Sequence, residues 1–183
     1  MVILIVIVVI VVVVGLFFWL GYNGLVKRRN QVDNAWSQID VQLKRRHDLI
    51  PNLVETVKGY ASHERQTLEA VTAARSNAIN AQGAQAQAQA ENVLTGALKS
   101  LFAVSEAYPD LKANQNFLNL QEELTSSEDR IAYARQFYND SVLTYNTKIQ
   151  QFPTVLIAGM FHFGKRDFFD AAPEDTEPVQ VQF

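Results

Sequence analysis

The run from Val2 to Leu20 carries no charge and no strongly polar side chain. In a helix rising about 1.5 Å per residue, such a run spans about 30 Å, the thickness of a bilayer's hydrocarbon core. Val and Ile dominate it, and both also suit strands. Strands rarely exceed about 10 residues, however, and in lipid a helix satisfies its own backbone groups. Length therefore predicts a transmembrane helix. A cleaved signal sequence would carry positive charge ahead of its apolar run. Here no Lys or Arg comes before the run, and Lys27, Arg28 and Arg29 follow it. That order predicts a retained anchor. It also predicts orientation, since positive residues stay cytoplasmic: Met1 at the outer interface and residues 27 to 183 inside. Phe17, Phe18, Trp19 and Tyr22 read as an aromatic belt at the inner interface. Trp19, Tyr22, Lys27, Arg28 and Arg29 are thus the expected topology and interface residues.

Behind the anchor, about 140 residues suffice for one domain with a proper core. Apolar positions recur at Val32, Trp36, Ile39, Leu43 and Ile50, with one gap at Arg46. Spacings of three and four describe a helix with a single buried seam, continuing the membrane helix as a stalk. Gly21 and Gly24 are expected to loosen it where it leaves lipid. Asp48 and Pro51 predict a boundary, because Asp caps helices and Pro is tolerated only in a first turn. A second helix is expected from about Leu49 to Ile79, with Leu53, Val57, Tyr60, Glu64, Leu68, Val71, Ala74 and Ala78 as its seam. The Ala-Gln patch from Asn80 to Gln89 reads as a loop at Gly83 and a poorly packed first turn. A third helix would then run to about Tyr108, with Val93, Ala97, Leu101, Val104 and Tyr108 inward, until Pro109 and Asp110 end it.

The fourth helix is predicted over about Asn114 to Gln151. Leu120, Leu124, Ser127, Ile131, Ala134, Tyr138, Ser141, Tyr145, Ile149 and Phe152 repeat about every 3.5 residues, the mark of coiled-coil-like packing. Thr125 to Glu128 matches a capping box, a signal for a break. The unbroken register argues against one. Short connections make neighbouring helices antiparallel. The predicted fold is all-α: an N-terminal transmembrane helix followed by an antiparallel up-and-down four-helix bundle with long helices. The expected division is an anchor over 1–22, the bundle over 23–152, an apolar end segment over 153–169 and a disordered acidic tail over 170–183.

The end segment holds Ile157, Met160, Phe161, Phe163, Phe168 and Phe169, and is too short to span a membrane. Three readings stay open. It folds over the bundle's end, it touches the membrane surface, or it docks a partner.

Little chemistry is visible. Cysteine is absent, which excludes disulfides and thiolate metal sites or nucleophiles. A net charge of −3 gives no basic field for nucleic acid. His63-Glu64 opens a zinc-protease motif, but Thr67 stands where the second His belongs. Glu122, Glu123, Glu128 and Asp129 read as a solvated face. Lys44, Arg45 and Arg46 lie about 35 Å from Leu20 along a continuous helix, beyond effective attraction to bulk lipid. Their stems are expected to pack on the bundle with the charged heads solvated. Glu64 interrupts an apolar stripe, so Glu64 and Arg46 are the candidate buried polar residues, with Arg46 or Arg135 as the carboxylate's partner. No catalytic residue, cofactor or metal is expected. An enzyme would need a hidden site built from Glu64 and Arg46.

Asp48 to Tyr60 (DLIPNLVETVKGY) and Tyr108 to Asp140 (YPDLKANQNFLNLQEELTSSEDRIAYARQFYND) resemble the LemA family. The Phe152-Pro153 step and the Phe168-Phe169 pair fit as well. The resemblance runs from the anchor to about Phe169 and leaves the acidic tail outside. It implies a bacterial inner-membrane protein with a short external N-terminus and a cytoplasmic helical bundle. It implies no reaction and no catalytic residues. The expected function is a scaffold that self-associates in the membrane or recruits other envelope proteins. The alternative is an adaptor or regulator of a membrane protease or envelope stress pathway.

Overall fold

The structure, a computed structural model, describes residues 1–169. The expected acidic tail, 170–183, lies outside the described residues. Every regular element described is a helix: α1 (Val2–Lys58), α2 (Arg65–Asn80), α3 (Ala84–Ser105), α4 (Pro109–Lys112), α5 (Gln115–Gln150) and α6 (Thr154–Met160). The chain divides into two compact units. Of the described residues, one comprises Met1–Ser37 with Phe137–Arg166, and the other Gln38–Gln136 with 167–169.

In the first unit, the N-terminal part of α1 is long and apolar enough to cross a membrane, and none of its apolar window is buried. The core begins at Leu25 and continues through Val32 and Ala35. Tyr138, Val142, Tyr145 and Ile149 of α5 and Ile157 and Ala158 of α6 are buried in the same unit. Trp36, half-buried, stacks at a tilt on Tyr138 with ring centroids 5.4 Å apart. The helix runs unbroken through Gly21 and Gly24. A Cβ at Gly21 would overlap Ile157 Cδ1, the far end of a flexible side chain, so Ile157 packs directly against the glycine.

In the second unit the expected boundary at Asp48 and Pro51 does not exist. Pro51 lies inside α1, and the chain turns only at 59–64. A proline inside a helix removes the hydrogen bond to the carbonyl four residues earlier, here that of His47. The Arg75 Nε–H of α2 donates to that carbonyl at 2.7 Å and replaces the lost donor. Removing Arg75 leaves the carbonyl unsatisfied, so Arg75→Ala is expected to cost about 1–2 kcal/mol. Denaturant unfolding should show a smaller penalty for Arg75→Ala when Pro51→Ala restores the backbone donor.

The cluster of buried apolar side chains in this unit includes Ile50, Leu53 and Val57 of α1, Leu68, Val71, Ala74 and Ala78 of α2, Leu94, Leu98 and Leu101 of α3, and Phe117 and Leu124 of α5. Two expected seam members fall on the turn instead: Tyr60 is exposed and Glu64 half-buried, while Ala61 is buried.

The third helix also departs from expectation. Gly83 sits at φ 85°, a conformation that glycine adopts without penalty, and α3 starts directly after it. The Ala-Gln patch is packed, with Ala84, Gln87 and Ala88 buried. The buried face continues through Glu91, Leu94, Leu98, Leu101 and Ser105, whereas Val93 is exposed. An apolar count alone selects the neighbouring stripe because it leaves out Gln87 and Glu91.

The α5 register is as expected. Leu124, Ser127, Ile131, Tyr138, Ser141, Tyr145 and Ile149 are buried, and no break occurs at Thr125. Asn114 caps the helix, its Oδ1 accepting the Phe117 N–H at 3.0 Å. Phe152, the last expected seam residue, lies beyond the helix and is exposed.

Candidate functional site

The second unit holds a buried polar network that neither apolar periodicity nor motif spacing suggests. Arg46 and His47 sit side by side on α1, where the apolar seam skips. Both are buried, the whole Arg46 side chain being only 3% exposed. The expectation of a solvated Arg46 head is therefore wrong. Its Nη1 lies 3.4 Å from Glu91 Oε2 on α3 and 3.1 Å from Glu128 Oε2 on α5. Its Nη2 donates to Thr95 Oγ1 at 2.7 Å. His47 Nε2 is 2.7 Å from Glu91 Oε1. Gln87 Nε2 donates both to Glu91 Oε1 at 3.0 Å and to the Ala78 carbonyl at 2.9 Å. Both oxygens of a buried carboxylate are thereby engaged, which is what permits its burial. Helices α1, α2, α3 and α5 all contribute an atom.

Arg45 and Lys44 remain at the surface, paired with Glu123 and Asp48. Glu128 and Glu123 of the expected solvated acidic face are thus ion-paired, though each stays about half exposed. The network opens onto a groove of about 800 Å³, lined by Arg46, Thr95 and Glu128 and by Asn92, Lys99 and Arg135.

Glu64 takes no part in this network. The expected pair with Arg46 or Arg135 is replaced by a hydrogen bond from the Tyr108 hydroxyl to Glu64 Oε1 at 3.1 Å. That bond, with desolvation and the carboxylate's charge, raises the Tyr108 pKa above its ordinary 10.0. The folded value exceeds the unfolded one. The bond's contribution is therefore intact below about pH 10 and fades as pH rises through the folded pKa. Glu64→Gln is expected to lower the Tyr108 pKa, as read by ultraviolet absorbance titration against Tyr108→Phe. Among the described residues, no three His, Asp or Glu side chains are grouped to hold a metal ion.

A second constellation lies in the first unit, where the apolar run of α1 ends. Tyr22 packs on Phe161 with centroids 4.8 Å apart and on Phe163 at 5.8 Å. The Arg29 guanidinium lies over the Phe163 ring at 5.3 Å. Further on, Asn146 brackets Arg166, its Nδ2 donating to the Arg166 carbonyl at 2.8 Å and its Oδ1 accepting the Arg166 N–H at 2.9 Å. Tyr145 Oη donates to the Gly164 carbonyl at 2.9 Å, and the Arg166 side chain reaches Asp33 at 2.9 Å. The end segment is thus fastened to α1 and α5. Of its expected interaction residues, Ile157, Phe163 and Phe169 are buried, while Met160, Phe161 and Phe168 remain exposed. Trp19 is exposed, as are Lys27 and Arg29, and Arg28 is half-buried.

The class defined by these features is an all-helical protein built on one long helix that is apolar and exposed at its start and core-forming further along. The chain belongs to the LemA family, whose match covers residues 35–183. The match starts after the apolar run and includes the final residues that the resemblance in sequence left out. Protein LemA of Metamycoplasma hominis is 29% identical over 92% of this chain and 78% of its own length. Magnetosome protein MamQ 2 of Paramagnetospirillum magneticum is 24% identical over 86% of this chain and 68% of its own. Magnetosome protein MamQ of Magnetospirillum gryphiswaldense is 25% identical over the same shares. None of these names states a reaction.

Proposed function

We propose that this chain is a membrane-anchored, non-catalytic scaffold of the bacterial envelope, its helical body on the cytoplasmic side, which self-associates or recruits envelope partners. One observation carries the reading. An apolar run with no buried residue and the buried core residues from Leu25 to Val57 belong to the same uninterrupted helix. A helix of this kind tethers the body without a flexible linker. Confinement to the membrane then raises the effective concentration of copies for one another. In this reading residues 1–22 are the anchor, 23–152 an antiparallel four-helix body, and 153–169 a segment closing its base. Lys27, Arg28 and Arg29 set the cytoplasmic orientation.

Chemical cross-linking in native membranes tests the proposal. Dimers and larger species, or a reproducible partner, are expected. A strictly monomeric protein with no co-purifying partner would refute it. Protease added outside intact cells should spare the body, and its digestion would reverse the orientation.

A second reading, an adaptor for a membrane protease or envelope stress pathway, draws support from the groove beside Arg46. The end segment is a weaker recognition element for it, since so much of that segment is bonded to α1 and α5. Partner capture lost in Lys99→Glu/Arg135→Glu but retained in end-segment variants would favour the adaptor.

A further inference from the structure

Helix α6 is apolar on every side, and only one side of it is used. Thr154, Ile157 and Ala158 are buried. Val155, Leu156 and Met160 point away and are exposed, as are the flanking Phe152 and Phe161. Phe152 is 81% exposed and Met160 59%, although nothing in Thr154–Met160 is charged. Contiguous apolar surface of this kind marks a contact with something apolar.

Position identifies the occupant. Ile157 fills the space left by Gly21, and Phe161 packs on Tyr22. Both contacts fall within two residues of Leu20, the end of the apolar run. The segment then follows α1 in its own chain direction, past Arg29 at Phe163 to Asp33 at Arg166. Lys27 and Arg29 lie about 9 and 12 Å beyond Gly21 along the helix. A bilayer's headgroup layer adds about 5–8 Å to each side of its core. Apolar side chains therefore stand where the hydrocarbon ends, and cations stand just past the phosphates.

The geometry points to α6 as a second membrane contact: a short helix lying in the lipid interface, with Phe152, Leu156, Met160 and Phe161 inserted among the upper acyl chains beside the anchor. This rests on α1 being the anchor. Its effect is to fix the angle and rotation of the first unit against the bilayer, because a helix held by lipid at one point can pivot and one held at two cannot.

The absence of cysteine makes the test direct. The full-length protein is reconstituted in phosphatidylcholine–phosphatidylglycerol vesicles containing lipids with a nitroxide high on the acyl chain or, for position 11, near its end. A fluorophore is attached to a single cysteine at Val11→Cys, Leu156→Cys, Met160→Cys or Tyr133→Cys. All four side chains are exposed, so labelling leaves the core intact. Quenching at 156 and 160 is expected to exceed that at 133 by about threefold or more, consistent with burial about 5–10 Å into the interface. Quenching at 11 with 156 and 160 as unquenched as 133 would overturn the proposal and leave the anchor standing. No quenching at 11 would remove the anchor, and this inference with it. Probes at 156 and 160 shielded from aqueous iodide yet unquenched by lipid would mean that protein covers α6, which also overturns it.

Discussion

Glu91→Ala should be among the most damaging single substitutions in this protein, costing the folded state about 3–5 kcal/mol. The carboxylate is 5% exposed and serves Arg46, His47 and Gln87 together. Without it, Arg46 keeps Glu128 and Thr95, but His47 and Gln87 each face an empty position in a site that water does not reach freely. The expected loss is mainly the penalty of stranding buried polar groups, not the net worth of the pair. Two comparisons separate these quantities. Glu128 is 49% exposed, so Glu128→Ala should cost no more than about 1 kcal/mol. Arg46→Met should be less harmful in the Glu91→Ala background than alone, giving a coupling energy from the double-mutant cycle. Denaturant unfolding of the full-length protein in detergent measures all of these. A Glu91→Ala protein within about 1 kcal/mol of wild type would show that the network does not hold the helices in register.

Phe117→Ala is expected to cost a similar amount, about 3–5 kcal/mol, by a different route. Its ring is 1% exposed and meets Phe102 edge-on, centroids 6.2 Å apart. Its backbone N–H is the donor in the Asn114 cap, so the side chain is fixed where α5 begins. Truncation removes buried area and leaves a cavity that a capped helix start cannot collapse to fill. Phe117→Leu should recover more than half of the loss. Tyr133→Ala on the same helix, with Tyr133 at 76% exposure, should stay within about 0.5 kcal/mol of wild type. Thermal unfolding ranks the three, and equal effects at 117 and 133 would contradict the assigned core.

The two substitutions differ in how visible they were beforehand. On α5 most buried positions follow from spacing, because apolar residues at about 3.5-residue intervals already describe a face, and Val142 and Asn146 are buried beside it. Position 117 lies just ahead of the traced seam and was not in it. On α3 the buried face includes Gln87 and Glu91, and a count of apolar residues turns the helix toward Val93. The unbroken spacing of 84, 87, 91, 94, 98, 101 and 105 was present in the sequence. It becomes readable as a face only if buried polar residues are allowed. Pro51 shows the same limit. Its local rule is sound, and a guanidinium from another helix offsets it.

What the chain determines alone is whatever depends on neighbours along it: a membrane-length apolar helix, the positive residues that follow it, all-helical structure and the α5 stripe. These rest on period, length and charge order, which fix local geometry without any partner. Tertiary structure decided the matters that need a partner distant in sequence. It placed Glu91 between Arg46 and His47, supplied Arg75 to the carbonyl freed by Pro51, and turned Glu64 to Tyr108. It also seated Ile157 against Gly21, burying one side of α6 and leaving the other exposed. A polar group's burial depends on what meets it, and that meeting is not encoded in its own neighbourhood.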